Sequence, residues 1–200
     1  MGLQLEYIQF INDSVAAAGL KPRPGVTMCE LGNQHLRKSA RSLTKAKTGK
    51  EYFRSLGFEH TSIDWNGLDG AMALDLRQPI QNSALLGKFD VLTNSGTSEH
   101  VENQYECFKN IHQLVKARGL MVHLNPMTGS WPGHGLYYYT FDFFRRLAQA
   151  CQYEWLLEKD LAVKGDQSHL VCVALRKAQE NAFIDQHEFD QLAQGTILNS

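Results

Sequence analysis

Polar residues that could bind or react recur just past apolar runs in this chain. Glu30 and Gly32 close Val26-Thr-Met-Cys-Glu-Leu-Gly-Asn-Gln34, Asp64 closes Ser62-Ile-Asp-Trp65, and Asp75 lies in Ala73-Leu-Asp-Leu76. Asn94 and Ser95 follow Phe89-Asp-Val-Leu-Thr93. An apolar run that ends in a carboxylate reads as a strand presenting an acceptor at its C-terminal end, where open α/β sheets bind ligands. A carboxylate there can accept charge-assisted hydrogen bonds from paired hydroxyls. Gly32 permits a tight backbone turn, as in loops that hold a nucleotide-like cofactor. A fuller loop of that kind carries further glycines, and Gln34 and Leu36 stand in their places.

Other patterns can be set aside. Thr48-Gly-Lys-Glu51 lacks the first glycine and the final Ser or Thr of a phosphate loop. Asp64-Trp-Asn-Gly-Leu-Asp69 has Leu68 at a ligand position and Asp69 where a calcium loop needs glycine. The four cysteines are scattered with no Cys-x-x-Cys pair, so neither a disulfide framework nor a zinc site is read. Cys29, Cys151 and Cys172 fall in or beside apolar segments, as small core residues do. A His123–His134 metal pair has no convincing third ligand, and no metal is expected.

The elements that must position these residues follow from periodicity. Leu3 to Ala18 reads as an amphipathic helix, stopped by Gly19 and the Lys21-Pro-Arg-Pro-Gly25 run. Strands are predicted at 26–31, 58–65, 71–76, 89–93 and 120–124, with helices at 45–56, 99–116 and 140–151. Gly119 is expected to cap the second of these helices. Two closing strands, 153–157 and 169–175, are expected to form an antiparallel pair through the polar turn 164–168. Right-handed crossovers then imply a mainly parallel sheet. The end of the chain reads as a short helix around 185–193 or an unstructured tail.

Two hundred residues with 43% hydrophobic content suit a single domain: a helix at 1–20, a core at 26–177 and an acidic tail at 178–200. The net charge of −1 argues against a nucleic-acid binder. That balance hides an asymmetry, since Arg37, Lys38, Arg41, Lys45, Lys47 and Lys50 have no acidic residue among them. They read as a solvated surface or as a basic rim that attracts an anionic substrate. With no signal-like leader and no apolar run of about 18 residues, a cytoplasmic protein with no membrane partner is expected.

The order and spacing of these segments resemble the class I methyltransferases that use S-adenosylmethionine (SAM), over about Val26 to Leu175. Cys29-Glu-Leu-Gly32 is similar to the family's cofactor loop, Ser62-Ile-Asp-Trp65 to its acidic second strand, and Ala73-Leu-Asp-Leu76 to its third-strand site. Phe89 to Val101, with its Glu-His-Val ending, resembles the fourth strand and the following helix start, and Lys116-Ala-Arg-Gly-Leu-Met-Val the entrance to the fifth. The resemblance implies an α/β fold: a three-layer, Rossmann-like sandwich whose mainly parallel seven-stranded sheet ends in an antiparallel hairpin.

It also implies roles. Glu30 would meet the cationic amino-acid end of SAM, with Gly32, Asn33 and Gln34 forming the turn. Asp64 would accept from the ribose hydroxyls, and Trp65 would offer a face to the adenine. Asp75 would take the adenine amine, with the Leu76 amide nearby. Asn94 and Ser95 would line the pocket below the methionine portion, and His100 would touch the cofactor or cap the backbone. Methyl transfer depends chiefly on in-line positioning, while a base helps when the acceptor is a hydroxyl or protonated amine. His134, in Trp131-Pro-Gly-His-Gly135, and His123 are the leading candidates, with His100 a third.

The expected function is SAM-dependent methyl transfer to an oxygen or nitrogen of a small molecule. The alternative is an inactive methyltransferase-fold protein serving as a cofactor-binding or protein-interaction module, motivated by the missing glycines. A nicotinamide-dependent oxidoreductase is disfavoured by the lack of Gly-x-Gly-x-x-Gly and by the closing hairpin. A homo-oligomer is compatible with the sequence.

Overall fold

A computed structural model of the chain describes residues 2–42, 44–163 and 168–199. In chain order the strands are β1 (Thr27–Leu31), β2 (Glu59–Asp64), β3 (Met72–Ala73), β4 (Phe89–Ser95), β5 (Val115–Pro126), β6 (Tyr137–Tyr139), β7 (Tyr153–Ala162), β8 (His169–Lys177) and β9 (Ile197–Asn199). The helices are α1 (Leu5–Ala17), α2 (Lys38–Arg41), α3 (Gly49–Leu56), α4 (Gln104–Leu114), α5 (Phe141–Ala150) and α6 (Gln186–Ala193). Seven strands form one sheet in the order β3-β2-β1-β4-β5-β8-β7. It is parallel from β3 to β5 and antiparallel at β5–β8 and β8–β7, as the sequence predicts.

Strand alternation makes three layers, because successive side chains leave opposite faces of the sheet. Leu170, Cys172 and Ala174 of β8 pack with Ile8 and Ile11 of α1 and Phe53 of α3. Val171, Val173 and Leu175 pack on the other face with Phe108 of α4, Phe143 and Phe144 of α5, and Phe189 of α6. The chain leaves β1 toward β2 and β3 on one side and returns to β4 and β5 on the other. The strand order therefore reverses between β1 and β4, where ligand crevices form in such sheets.

Several predicted elements shift. The helix expected at 99–116 starts at Gln104, because Ser98–His100 form a 3-10 turn and the Asn103 side chain accepts from Glu106 N at 3.1 Å. It ends at Leu114, and β5 begins at once, so Gly119 lies inside the strand rather than capping the helix. The third strand shrinks to two residues, since Asp75 and Arg77 close a local turn (Arg77 N to Asp75 Oδ1, 2.9 Å). The helix expected from Lys45 starts at Gly49, capped by Thr48, whose hydroxyl accepts from Glu51 N at 3.1 Å. The turn expected at 164–168 lies outside the described residues except for Ser168. The end of the chain is structured: α6 packs into the core, and β9 pairs antiparallel with β6.

Candidate functional site

A cleft of about 750 Å3 opens at the C-terminal ends of β1 to β4. Each strand supplies the loop that follows it: Gly32 to Gln34, Asp64 to Asn66, Leu74 to Arg77, and Gly96 to Glu102 except Ser98 and Glu99. Its volume falls in the range of small-molecule and cofactor sites, roughly 300–1,000 Å3.

The β1 loop is built around one glycine. Gly32 has φ +76°, and a Cβ there would meet Thr97 Oγ1 at 2.7 Å and Gln34 Nε2 at 2.8 Å. Its amide donates to Ile63 O at 2.7 Å, and Thr97 Oγ1 donates to Leu31 O at 2.8 Å, drawing the three loops together. Asn33 N donates to Asp64 Oδ2 at 2.9 Å, and Asn66 N reaches Asp64 Oδ1 at 3.3 Å. Asp64 is thus fixed at the crevice by two backbone amides. Trp65 beside it is 81% exposed and stands over the opening.

Of the residues predicted for a cofactor, Gly32, Asn33, Gln34, Asp64, Trp65, Asp75, Leu76 and His100 line this cleft. Glu30, Asn94 and Ser95 do not. Glu30 shares a strand face with Met28, on the α1/α3 side, where it accepts from Gln34 N at 3.1 Å. Asn94 is fully buried and binds Ser98 Oγ at 2.8 Å. Ser95 is buried too, and its carbonyl accepts from Gln34 Nε2 at 2.9 Å. Asp75 is gripped by Arg77 through Nε and Nη2, at 2.9–3.1 Å, which holds its carboxyl below the usual range.

The two histidines proposed for proton transfer differ. His123 is buried, with Nδ1 3.2 Å from Asn94 Nδ2 and its ring against Phe108 and Phe144. Burial lowers its pKa to about 3, and it does not line the cleft. His134 is partly exposed, with Trp131 4.9 Å away, ring to ring, and His100 5.4 Å away. Its loop is pinned by Leu136 N donating to Glu99 O at 2.8 Å. Burial lowers the pKa of both His100 and His134, and their mutual proximity adds to the effect on His100.

Sequence reasoning missed Arg77, Thr97 and Glu102 in the cleft wall, and Glu99 behind it. Arg77 carries no local pattern and is found only because its guanidinium folds back on Asp75. Glu99 stands next to His100 in the Glu-His-Val segment, but its burial could not be read there. None of the six basic residues between Leu31 and Lys50 lines the cleft. Among the described residues no helix is long and apolar enough to cross a membrane.

No family model matches the chain, and no curated protein matches its sequence. Solved structures do match. A 1,6-didemethyltoxoflavin-N1-methyltransferase from Burkholderia thailandensis, with bound 1,6-didemethyltoxoflavin and S-adenosylhomocysteine, aligns with TM-score 0.61 at 15% identity over 86% of this chain and 77% of that one. A geranyl diphosphate C-methyltransferase from Streptomyces coelicolor, in complex with Mg2+, geranyl diphosphate and S-adenosyl-L-homocysteine, aligns with TM-score 0.55 at 10% identity, covering 84% and 76%. TehB from Haemophilus influenzae aligns with TM-score 0.56 at 14% identity, covering 83% and 62%. At these identities the likeness is one of fold: this chain has the fold of the class I methyltransferases.

Proposed function

We propose that this chain, with its class I methyltransferase fold, binds SAM in the β1–β4 cleft and transfers a methyl group to an oxygen or nitrogen of a small molecule. The observation that carries the reading is the cleft itself, at the sheet's reversal point, with Asp64 fixed on its wall by the amides of Asn33 and Asn66. The residues fit such a cofactor. Gly32, at φ +76°, makes the tight turn that brings the Asn33 and Gln34 segment to the cleft wall. Asp64 offers acceptor oxygens for vicinal hydroxyls, Trp65 an exposed aromatic face, and Leu76 an amide. SAM supplies a methyl carbon made electrophilic by the sulfonium. The protein's task is then alignment and exclusion of water. His100 lines the cleft and His134 stands behind it, 5.4 Å ring to ring; with pKa values held below the ordinary imidazole value, they are the imidazoles nearest to a bound acceptor.

One observation favours a non-catalytic cofactor-binding or interaction module instead. The Gln34 side chain crosses to Ser95 O, and Arg77 already occupies Asp75. Both contacts use polar groups that a cofactor would otherwise engage.

Isothermal titration with SAM and S-adenosylhomocysteine separates these readings from an empty fold. Binding in the micromolar range is expected, and Asp64→Ala weakens it at least about tenfold, roughly 1.4 kcal/mol. Absence of heat at high micromolar cofactor overturns the proposal. Unchanged affinity in Asp64→Ala removes that residue from the site.

A further inference from the structure

Where the turn after β4 meets the loop after β5, Glu99, His100 and His134 bring carboxylate and imidazole atoms within 4.8 Å of one another. His134 Nε2 lies 3.8 Å from Glu99 Oε1, and His100 Nε2 lies 3.9 Å from the same oxygen. These separations are too long for hydrogen bonds, which do not extend to about 3.6 Å. They are close to the spacing of ligands around one ion: bonds of about 2.0–2.1 Å at a tetrahedral angle put ligand atoms roughly 3.4 Å apart.

The carboxylate is built for that arrangement. Glu99 is fully buried, and neither its Oε1 nor His134 Nε2 has a hydrogen-bond partner among the described residues. Leaving a buried acceptor unmatched is costly. Its other oxygen is held: Asn125 Nδ2 donates to Glu99 Oε2 at 3.2 Å. Asn125 is in turn fixed by Ser98 Oγ at 3.0 Å and by Asn94 Nδ2 at 3.3 Å. One oxygen is therefore oriented from behind, as outer partners orient metal ligands. The other points at two imidazoles. Gly135 lets the His134 loop lie against Glu99, since a Cβ there would meet Glu99 Cγ at 2.9 Å.

We propose that Glu99, His100 and His134 bind a divalent first-row transition-metal ion, with a coordination position left open toward the cleft. Two imidazoles and one carboxylate oxygen suit zinc, iron, cobalt or nickel better than magnesium or calcium, which favour all-oxygen sets. Three protein ligands are the pattern of sites that keep a position for water or substrate. Of the three ligands only His100 lines the cleft, so the proposal assigns the open position to its side. The use of that position, to hold an oxygen or nitrogen of the methyl acceptor, rests on the methyltransferase reading; with the ion bound, the two imidazoles serve as ligands and not as proton acceptors. The ion site itself does not.

Titration of the metal-free protein with Co2+, without cofactor, tests it by visible absorption. One equivalent should bind with ligand-field bands, be displaced by Zn2+ and not by equimolar Mg2+. His134→Ala and Glu99→Gln should each weaken binding about tenfold or more. Should Glu99→Gln fail to fold, as its far-ultraviolet dichroism reveals, His100→Ala replaces it. No Co2+ or Zn2+ binding at millimolar ion, or binding unchanged in the folded variants, overturns the site. Calorimetry with S-adenosylhomocysteine on the same sample reads the cofactor separately, so failure of one proposal is distinguishable from failure of the other.

Discussion

Glu30 and His60 share a buried space between β1, β2 and α3, and their chemistry sets a pH dependence. Burial raises the Glu30 carboxyl to about 8 and lowers the His60 imidazole to about 3. The two are 4.0 Å apart without a hydrogen bond, and the Arg54 and Lys50 charges of α3 further disfavour a protonated His60. Both are therefore neutral in the fold at neutral pH rather than an ion pair. For Glu30 the folded value lies above the unfolded one, about 4.3. Its contribution is complete below that value and is lost as pH rises toward about 8. For His60 the folded value is depressed, so its contribution is lost as pH falls from about 6.5 toward about 3. Glu30→Gln should remove up to about 1.4 kcal/mol per pH unit of slope from stability between pH 5 and 8. Urea denaturation across that range measures it; an identical slope in the variant refutes the buried neutral acid. At this scale the sequence was only half legible. Asp64 sits at a strand end and its place could be read, whereas Glu30's could not. Strand alternation puts Glu30 on Met28's face, but only the space left by Gly49, where a Cβ would overlap the carboxylate, shows that the face is closed.

At the scale of elements, legibility ended where caps came from far away. The start of α4 was written locally: Asn103 followed by Glu106 is a capping pattern, overshadowed by the apolar periodicity running on from Val101. The end of α4 was not. Lys177, in β8, is buried with 1% exposure and donates to His112 O at 3.3 Å and Val115 O at 3.4 Å, with Glu180 Oε1 at 3.0 Å. A lysine sixty residues downstream thus does what Gly119 was expected to do, and no local pattern announces it. Lys177→Met keeps the apolar stem and removes the donors. It should cost about 1–3 kcal/mol, the usual price of buried acceptors left unmatched, read as a lower urea midpoint with unchanged m-value. A midpoint equal to the parent's would mean that water serves those carbonyls as well as Lys177 does. The β7–β8 pair, by contrast, was readable because its apolar alternation needs no distant partner.

For the whole molecule, the acidic end of the chain is structural rather than appended. Its charges hide the apolar positions Phe183, Ile184, Phe189 and Leu192, which pack into the core with Phe108 and Phe143. Asp185 caps α6 by accepting from Glu188 N at 2.9 Å, so part of the acidity is capping chemistry. His112 Nε2 meets Asn181 O at 2.8 Å and Asn181 Nδ2 donates to Cys151 O at 3.0 Å, tying the segment to α4 and α5. Each buried aromatic or aliphatic side chain contributes about 1.5–3 kcal/mol, and whole domains retain only about 5–15 kcal/mol. A chain ending at residue 178 loses three such side chains and the half-buried Phe183 and strips one face of α5, so its deficit is comparable to the entire stability. The expected result is loss of the near-ultraviolet dichroism and of a cooperative melting transition. Adding S-adenosylhomocysteine should not restore either, because ligand linkage at a hundredfold excess over Kd supplies only about 2.7 kcal/mol. A truncated chain that melts cooperatively within about 5 °C of the full one, a shift worth only about 1–2 kcal/mol at this size, would return the segment to the status of a tail.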